Sequence, residues 1–148
     1  MDLLEPKNCA CFNLRKASRA VTQVYDRLLQ RTGLRVTQFT ILVSISRTGS
    51  VTISNLAKQL VMDRTTLTRN LRPLEREGFL KISPGKDLRT RYVTLLKKGK
   101  DVLTEAIPLW ERAQRNFEAG LGKQRFHSLV SNLSETVEIT QNHHTANP

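Results

Sequence analysis

Two amphipathic segments separated by only three residues constrain the fold of this chain more than any other feature. In the first, TISNLAKQL, apolar residues recur at the i, i+3, i+4 and i+7 spacing of one helix face, and Thr52 is placed as the N-cap. In the second, RTTLTRNLRPLERE, the apolar residues are Leu67, Leu71 and Leu74, and Asp63 is placed to cap the helix. Two helices joined by so short a turn form a helix-turn-helix.

After Gly78, the spacing of the apolar residues changes from the period of a helix to the alternation of a strand. Leu80 and Ile82 alternate with polar residues, and so do Val93 and Leu95, with the polar loop PGKDLR between the two runs. This pattern predicts a β-hairpin. A hairpin that directly follows a helix-turn-helix makes a winged helix.

Long helices are predicted on both sides of the winged helix. One helix is expected over about residues 11–31 and another over 36–47. After the hairpin, a helix over about 97–119 should be kinked at Pro108, and a last helix follows Gly122.

The terminal helices carry more apolar surface than a winged helix can cover, so a second copy of the chain is expected to bury it. The expected fold class is therefore mainly α (α+β): a winged helix-turn-helix with long N- and C-terminal helices that form a homodimer interface. The predicted domains are an N-terminal dimerisation helix (1–35), a winged helix-turn-helix (36–97), C-terminal dimerisation helices (98–140) and a flexible tail (141–148).

Positive charge is concentrated in the winged helix. The whole chain has a net charge of +11, and residues 47–100 hold 13 Lys and Arg against 4 Asp and Glu. A basic block of this kind favours a polyanionic partner such as nucleic acid. The alternative is a solvated surface with no partner.

The second helix of the helix-turn-helix has a polar face of threonine and arginine opposite its leucines. Short hydroxyls fit close to base edges, and arginines reach guanine or phosphate. We therefore expect Thr65, Thr66 and Arg69 to read bases and Arg72 and Arg76 to contact phosphates. The alternative is an exposed charged helix. Pro73 conflicts with this helix, because it should either bend the helix or end it.

The hairpin loop GKDLRTR contains basic residues that suit the minor groove, and Asp87 could pair with the Arg89 side chain. The alternative is an exposed polar loop that binds no partner. The full predicted DNA-binding set is Thr65, Thr66, Thr68, Arg69, Arg72, Arg76, Lys86, Asp87, Arg89 and Arg91.

The stretch VTISNLAKQLVMDRTTLTRNLRPLEREGFL, followed by DLRTRYVTLLKKG, resembles the MarR (multiple antibiotic resistance regulator) family of bacterial transcription factors. The resemblance covers about residues 11–140 and implies a winged-helix homodimer that reads a pseudo-palindromic operator. The family's Asp-x-Arg wing motif corresponds to residues 87–89. The family often has Leu-Thr-x-x-Gly before its long helix, where this chain has Leu95, Leu96 and then Gly99, without the capping threonine.

The resemblance also implies a signal that releases a repressor from its operator. A small phenolic or aromatic inducer is the first expectation, for which Arg15, Arg19 and Trp110 are candidate crevice residues. The alternative is a thiol-based, organic-hydroperoxide-sensing repressor that uses Cys11, with Tyr25 matching a tyrosine that hydrogen-bonds the thiol in that branch. Arg15 and Val36 stand where two further tyrosines of that branch are expected. Cys11 could instead be a buried small hydrophobe, and a Cys9–Cys11 disulfide within a helix is not expected.

No catalytic set, cofactor motif or metal-ligand spacing is evident in the sequence. An enzyme is therefore not expected, and neither is a cofactor or a metal. The sequence has no apolar run long enough to cross a membrane and no secretion signal, so a cytoplasmic location without membrane attachment is expected. Two further alternatives are a nonspecific architectural DNA-binding protein and a protein–protein module.

Overall fold

The computed structural model describes residues 5–145, with side chains as far as residue 142. Within this range the chain is mainly helical with one small sheet, as the sequence predicts. Short 3-10 turns occupy Pro6–Asn8 and Gln30–Thr32. The elements are α1 (Ala10–Leu29), α2 (Val36–Thr48), β1 (Ser50–Thr52), α3 (Ile53–Gln59), α4 (Arg64–Arg76), β2 (Leu80–Pro84), β3 (Arg91–Leu95), α5 (Lys97–Leu121) and α6 (Lys123–Thr145).

The chain divides into two compact units, one ending at Trp110 and the other starting at Glu111. The first unit contains the winged helix, and its core joins α2, α3, α4, the sheet and the first half of α5. Leu103 of α5 is buried in this core, and Val102 is partly buried against it. The side chains that are fully buried in this core include Leu29, Ile41, Leu42, Ile45, Leu56, Leu67, Leu71, Leu74, Leu80 and Val93.

The predicted hairpin forms two strands of a three-stranded antiparallel sheet with the order β1-β3-β2. Leu80 pairs with Leu95 and Ile82 pairs with Val93, so the alternating apolar residues of the two strands share one face. β2 lies at an edge of the sheet. The strand pairing fixes where the loop between β2 and β3 leaves the domain.

The helix-turn-helix has the predicted caps at both helix starts. The Thr52 hydroxyl accepts a hydrogen bond from the Asn55 amide at 3.1 Å, and a carboxylate oxygen of Asp63 accepts one from the Thr66 amide at 2.7 Å. In the turn between the helices, Val61 has a left-handed backbone with a φ of 52°. A β-branched residue is rarely found in this conformation, which is strained for it.

Helix α4 continues through Pro73 as far as Arg76, so the alternative that Pro73 ends the helix is wrong. The helix ends instead in a Schellman motif, in which Gly78 has a φ of 74° and the Phe79 amide donates to the carbonyl of Leu74. Leu74 is fully buried beside this proline. Packing of the leucine stripe therefore holds the helix together where Pro73 removes a backbone hydrogen bond.

Helix α5 begins at Lys97 although the family's capping threonine is absent. The Leu96 amide donates to the Phe79 carbonyl at 3.0 Å, and the Lys98 ammonium donates to the Glu77 carbonyl at 2.6 Å. Gly99 is so close to Phe79 that a Cβ at this position would lie 2.0 Å from its carbonyl oxygen. Close backbone packing at Gly99, which only a glycine allows, thus holds the start of α5 against Phe79.

The first half of α1 is exposed along its whole length, and only Tyr25 and Leu29 of this helix are buried. Both cysteines are exposed in the single chain, so burial of Cys11 as a small hydrophobe would need a second chain and stays a prediction. Phe12, Leu14 and Val24 each expose about two fifths of their surface. At about 100° per residue, Leu14 and Val24 lie within about 80° of each other around the helix, and this face is available to a second protein chain.

The second unit consists of the end of α5 and the whole of α6. Phe117 and Phe126 meet edge to face, with ring centroids 5.8 Å apart. Beyond this contact α6 exposes a long apolar face, and it continues to Thr145, so the tail expected at 141–148 is helical as far as that residue. The rest of the expected tail lies outside the described residues. The exposed apolar side chains of α6 are Val130, Leu133, Val137 and Ile139.

Candidate nucleic-acid interface

The exposed face of α4 is polar and basic, and it is held in place by the buried leucine stripe on the opposite face. The face forms a shallow open groove along the first three turns of the helix. Arg76 is exposed one turn further on. The residues that line the groove are Arg64, Thr65, Thr68, Arg69 and Arg72.

The three threonines of α4 differ in the hydrogen bonds that their hydroxyls make. The Thr66 hydroxyl donates to Asp63 at 2.6 Å, and the Thr68 hydroxyl donates to the Arg64 carbonyl at 2.7 Å. Both hydroxyl protons are thus used inside the helix, which leaves an oxygen that can accept and a methyl group that can contact thymine. Among the described residues, the Thr65 hydroxyl has no hydrogen-bond partner, and it is exposed.

Asp63 is the acidic residue nearest to the start of α4. Its hydrogen bonds from the Thr66 hydroxyl and the Thr66 amide hold the pKa of this carboxyl below its usual range. The carboxylate is therefore charged at neutral pH and bound to the helix start, where it satisfies orphan amides. The carboxylate of Asp63 accepts the capping hydrogen bonds from Thr66 and, among the described residues, forms no ion pair with a nearby arginine.

The loop between β2 and β3, which we call the wing loop, is organised by Asp87. Its carboxylate accepts a hydrogen bond from the Arg89 amide at 3.0 Å, and its carbonyl accepts one from the Thr90 amide at 2.9 Å. The expected pairing of Asp87 with the Arg89 side chain is wrong, because Asp87 holds the backbone instead. The side chains of Lys86, Arg89 and Arg91 remain exposed around this turn.

One hydrogen bond joins α4 to the wing and one close contact lies within the wing itself, and neither was evident from the sequence. A Glu75 carboxylate oxygen accepts a hydrogen bond from the Ile82 amide at 3.0 Å, which satisfies a donor on the edge strand β2. Gly85 lies under the ring of Tyr92, where a Cβ would come within 2.8 Å of the ring. The hydrogen bond therefore connects the end of α4 to β2, whereas the packing of Gly85 against Tyr92 shapes the wing loop.

The basic side chains of α4 and the wing loop are not neutralised by the protein itself. The ion pairs of the described residues lie elsewhere, for example between Lys97 and Asp101 and between Arg115 and Glu111. Because charges that are not paired within the chain attract counterions, this face can exchange them for phosphates. Within the described residues, no group of acidic, histidine or cysteine side chains could hold a metal ion.

The other residues singled out in the sequence are spread over the first unit. Trp110 stacks on Phe39 with ring centroids 5.8 Å apart and is packed against the core, whereas Arg15 and Arg19 are exposed. Tyr25 is buried within its own chain, and burial raises the pKa of its hydroxyl.

The two cysteines lie at the start of α1. Cys9 is the N-cap residue of the helix, and its sulfur accepts a hydrogen bond from the Phe12 amide at 3.5 Å. Cys11 follows in the first turn, and both thiols are exposed. Cys11 is fourteen residues before Tyr25, about 21 Å along a helix, so a contact between them needs a second chain.

The fold and the basic face define a winged-helix transcriptional regulator. The MarR family model matches residues 34–89, from just before α2 to the wing loop. The solved structure of the M. tuberculosis transcriptional regulator MosR in complex with DNA is 38% identical, with a TM-score of 0.79 over 89% of this chain and 98% of that one. The chain belongs to the MarR family.

Two curated relatives extend the likeness over most of the chain. The homoprotocatechuate degradative operon repressor of Escherichia coli is 27% identical over 127 residues, which cover 85% of this chain and 86% of the relative. The organic hydroperoxide resistance transcriptional regulator of Bacillus subtilis is 26% identical over 109 residues, which cover 73% and 74% of the two chains. The resemblance found in the sequence is thus confirmed at the level of the family. Among the described residues, no helix is both long enough and apolar enough to span a membrane.

Proposed function

We propose that this protein is a cytoplasmic, homodimeric repressor that binds a pseudo-palindromic operator and leaves it when a small aromatic inducer binds. The observation that carries the DNA-binding part is the exposed face of α4, where Thr65, Arg69 and Arg72 line one groove. The wing loop adds further basic side chains, and the described residues do not neutralise them. No catalytic role forms part of this proposal.

Within this interface we propose a division between base reading and phosphate binding. The N-terminal end of a recognition helix enters the major groove, so Thr65 and Arg69 read bases. Thr66 and Thr68 add methyl contacts and acceptors, because their hydroxyl protons are used within the helix. Arg72 and Arg76 bind phosphates, and the wing loop enters the adjacent minor groove with Arg89.

The experiment is fluorescence polarisation with DNA from upstream of the protein's own gene, in competition with scrambled DNA. Arg69→Ala should reduce the preference for the operator by about tenfold or more, since a good base contact contributes about 1–3 kcal/mol of discrimination. Arg72→Ala should weaken binding to both DNAs by a similar factor. An equal loss of preference in both variants would refute the division of roles.

The homodimer is supported by the exposed apolar faces of α1 and α6. A monomer rarely leaves such continuous apolar surface in water, and two copies would present two recognition helices to successive half-sites. Leu133→Lys places a charge in the α6 face and should shift the protein towards a monomer in analytical ultracentrifugation. A matched change at exposed Ser131, Ser131→Lys, should leave the mass unchanged if that position is outside the interface.

A second candidate for the signal is oxidation of a thiol, and a specific observation favours it. Cys11 is exposed at the start of α1 in the single chain, and Cys9 caps the same helix. An oxidised Cys11 would lie on the helix that we propose for the dimer interface. A change there can alter the spacing of the two recognition helices.

The two signals are separated by one comparison of operator binding. Reduced protein is titrated with aromatic carboxylates and, separately, with an organic hydroperoxide. Thiol control predicts that peroxide abolishes binding, that dithiothreitol restores it and that Cys11→Ser removes the response. Inducer control predicts release by an aromatic compound in the wild type and in Cys11→Ser alike.

A further inference from the structure

The wing loop carries one large apolar side chain, Leu88, at its tip. Leu88 exposes 81% of its surface, the largest fraction of any large apolar side chain among the described residues. Its neighbours in the sequence GKDLRTR are polar or charged, whereas the exposed apolar side chains of α6 lie together on one helix. A single exposed leucine is ordinary on a protein surface, so the way in which the loop holds it decides whether it has a use.

Hydrogen bonds hold the backbone on both sides of Leu88. The Thr90 amide donates to the Asp87 carbonyl at 2.9 Å, which closes a β-turn over residues 87–90 with Leu88 at its second position. The Arg89 amide donates to an Asp87 carboxylate oxygen at 3.0 Å. The Gly85 amide donates to the Thr90 carbonyl at 2.8 Å. The loop is thus ordered in the free chain, so a contact made by Leu88 costs little further ordering.

The groups around Leu88 can donate hydrogen bonds but offer little to accept them. Lys86, Arg89 and Arg91 are exposed, and none of them belongs to an ion pair among the described residues. Ammonium and guanidinium groups have no acceptor atom. Asp87 is the only acid between residues 78 and 100, and the Arg89 amide holds its carboxylate against the turn. A surface covered by this loop tip therefore keeps its acceptors paired but not its donors.

The base pairs of DNA differ in this respect on the floor of the minor groove. A·T and T·A present only acceptors there, and G·C adds the 2-amino donor of guanine. We propose that Leu88 lies against the floor of the minor groove and excludes pairs that carry this amino group. Beneath an apolar side chain the amino group loses its water and finds no acceptor, which costs free energy. This inference rests on the proposed DNA-binding function, in which the wing loop enters the minor groove.

The preference given by Leu88 differs from that given by an arginine in the same groove. Arg89 responds to the width and the electrostatic potential of an A·T tract, which depend on several neighbouring pairs. Leu88 responds to one chemical group on one base pair. The two contributions are separable, because a base analogue can add or remove that group at a single position.

The test measures operator binding by fluorescence polarisation with analogues that change the minor-groove edge. 2,6-Diaminopurine in place of an adenine adds the amino group to the minor groove and leaves the donor and acceptor of the major-groove edge in place. When each A·T pair of the operator is substituted in turn, wild type should lose affinity about fivefold or more at one pair in each half-site. A G·C pair at that position should be equally unfavourable, and an inosine·C pair, which lacks the amino group, should restore the affinity.

Variants at the loop tip identify the side chain that is responsible. Leu88→Ala should abolish the diaminopurine penalty, because the amino group then keeps its water. Leu88→Asn retains a side chain of similar size and adds an acceptor, so it should also tolerate the amino group. Leu96→Ala shortens another exposed leucine outside the wing loop and should keep the penalty. Arg89→Ala should bind every duplex more weakly and still keep it.

The outcomes separate this inference from the function on which it rests. If the penalty survives in Leu88→Ala, or if Arg89→Ala removes it, the leucine does not read the amino group and the inference is overturned. The same holds if wild type prefers its operator but tolerates diaminopurine at every position. In these cases the DNA-binding function stands. If wild type does not prefer any operator, the proposed function fails together with the inference.

Discussion

Replacing Gly99 by alanine should reverse the usual effect of a glycine-to-alanine change in a helix. Alanine normally stabilises a helical position by about 1 kcal/mol. Here, the new Cβ would lie 2.0 Å from the carbonyl oxygen of Phe79 and 2.9 Å from its carbonyl carbon. Carbon–oxygen contacts are normally about 3.3 Å or longer, so the first turn of α5 must move by about 1 Å.

The magnitude follows from what this movement disrupts. It strains the hydrogen bond from the Leu96 amide to Phe79, which contributes about 1 kcal/mol. It also displaces the buried Leu103, and overpacking of a core costs about 1–3 kcal/mol. After the gain of about 1 kcal/mol from helix propensity, Gly99→Ala should lower the free energy of unfolding by about 1–3 kcal/mol.

The assay is urea unfolding at one fixed protein concentration, because dimerisation makes the midpoint depend on concentration. Gly120→Ala is the matched control, since Gly120 lies in the same helix and a Cβ there would have no neighbour within 4 Å. That variant should be as stable as the wild type or up to about 1 kcal/mol more stable. The reasoning about close packing would be refuted if Gly99→Ala unfolded at the same urea concentration as the wild type, or at a higher one.

Three further predictions concern the helix-turn-helix. Pro73→Ala restores a donor for the Arg69 carbonyl and should stabilise the protein by about 1 kcal/mol or more in urea unfolding; unchanged stability would mean that α4 already accommodates the proline. Val61→Asn should raise the melting temperature, because asparagine tolerates the left-handed backbone better than a β-branched residue; a lower value would contradict the strain. The hydrogen bonds from Thr66 that form the cap lower the pKa of Asp63. The stabilisation of the folded protein by the ionised cap is therefore fully present above the ordinary aspartate pKa of 3.8, and it is lost as the pH falls through the lower pKa of the folded state. Asp63→Asn should remove that part of the acid dependence, and identical acid profiles would count against the cap.

The elements with strong local signals were predictable from the sequence. The stripe Leu67, Leu71, Leu74 and the caps Thr52 and Asp63 all lie where the helix-turn-helix requires them. The alternation of apolar residues likewise predicted the hairpin. These signals are local because a cap, a turn and an amphipathic period each depend on residues only a few positions apart.

The features that the sequence did not reveal depend on contacts between distant segments. The hydrogen bond from Ile82 to Glu75 and the approach of Gly99 to Phe79 each join two elements, and no periodic pattern encodes them. The partner of Asp87 was predicted wrongly: the carboxylate binds the backbone amide of Arg89 and not its guanidinium group. An acidic residue two positions before an arginine can bind either group of that arginine, and the sequence does not distinguish them. The roles of the DNA-binding residues were inferred from the polar face of α4 and from how recognition helices enter the major groove, and the single chain alone does not test them.

The local rules that this sequence breaks are concentrated around the proposed DNA-reading helix. Val61 has a strained backbone just before α4, and Pro73 removes one of its hydrogen bonds. Neither feature involves the leucine stripe. The buried leucines therefore hold the helix in position although its exposed side lacks one backbone hydrogen bond. Among the described residues, the arginines of the exposed face belong to no ion pair, so their charges remain available to a polyanion. The stability of the recognition element thus comes from the core, and its outer surface is free to serve a ligand.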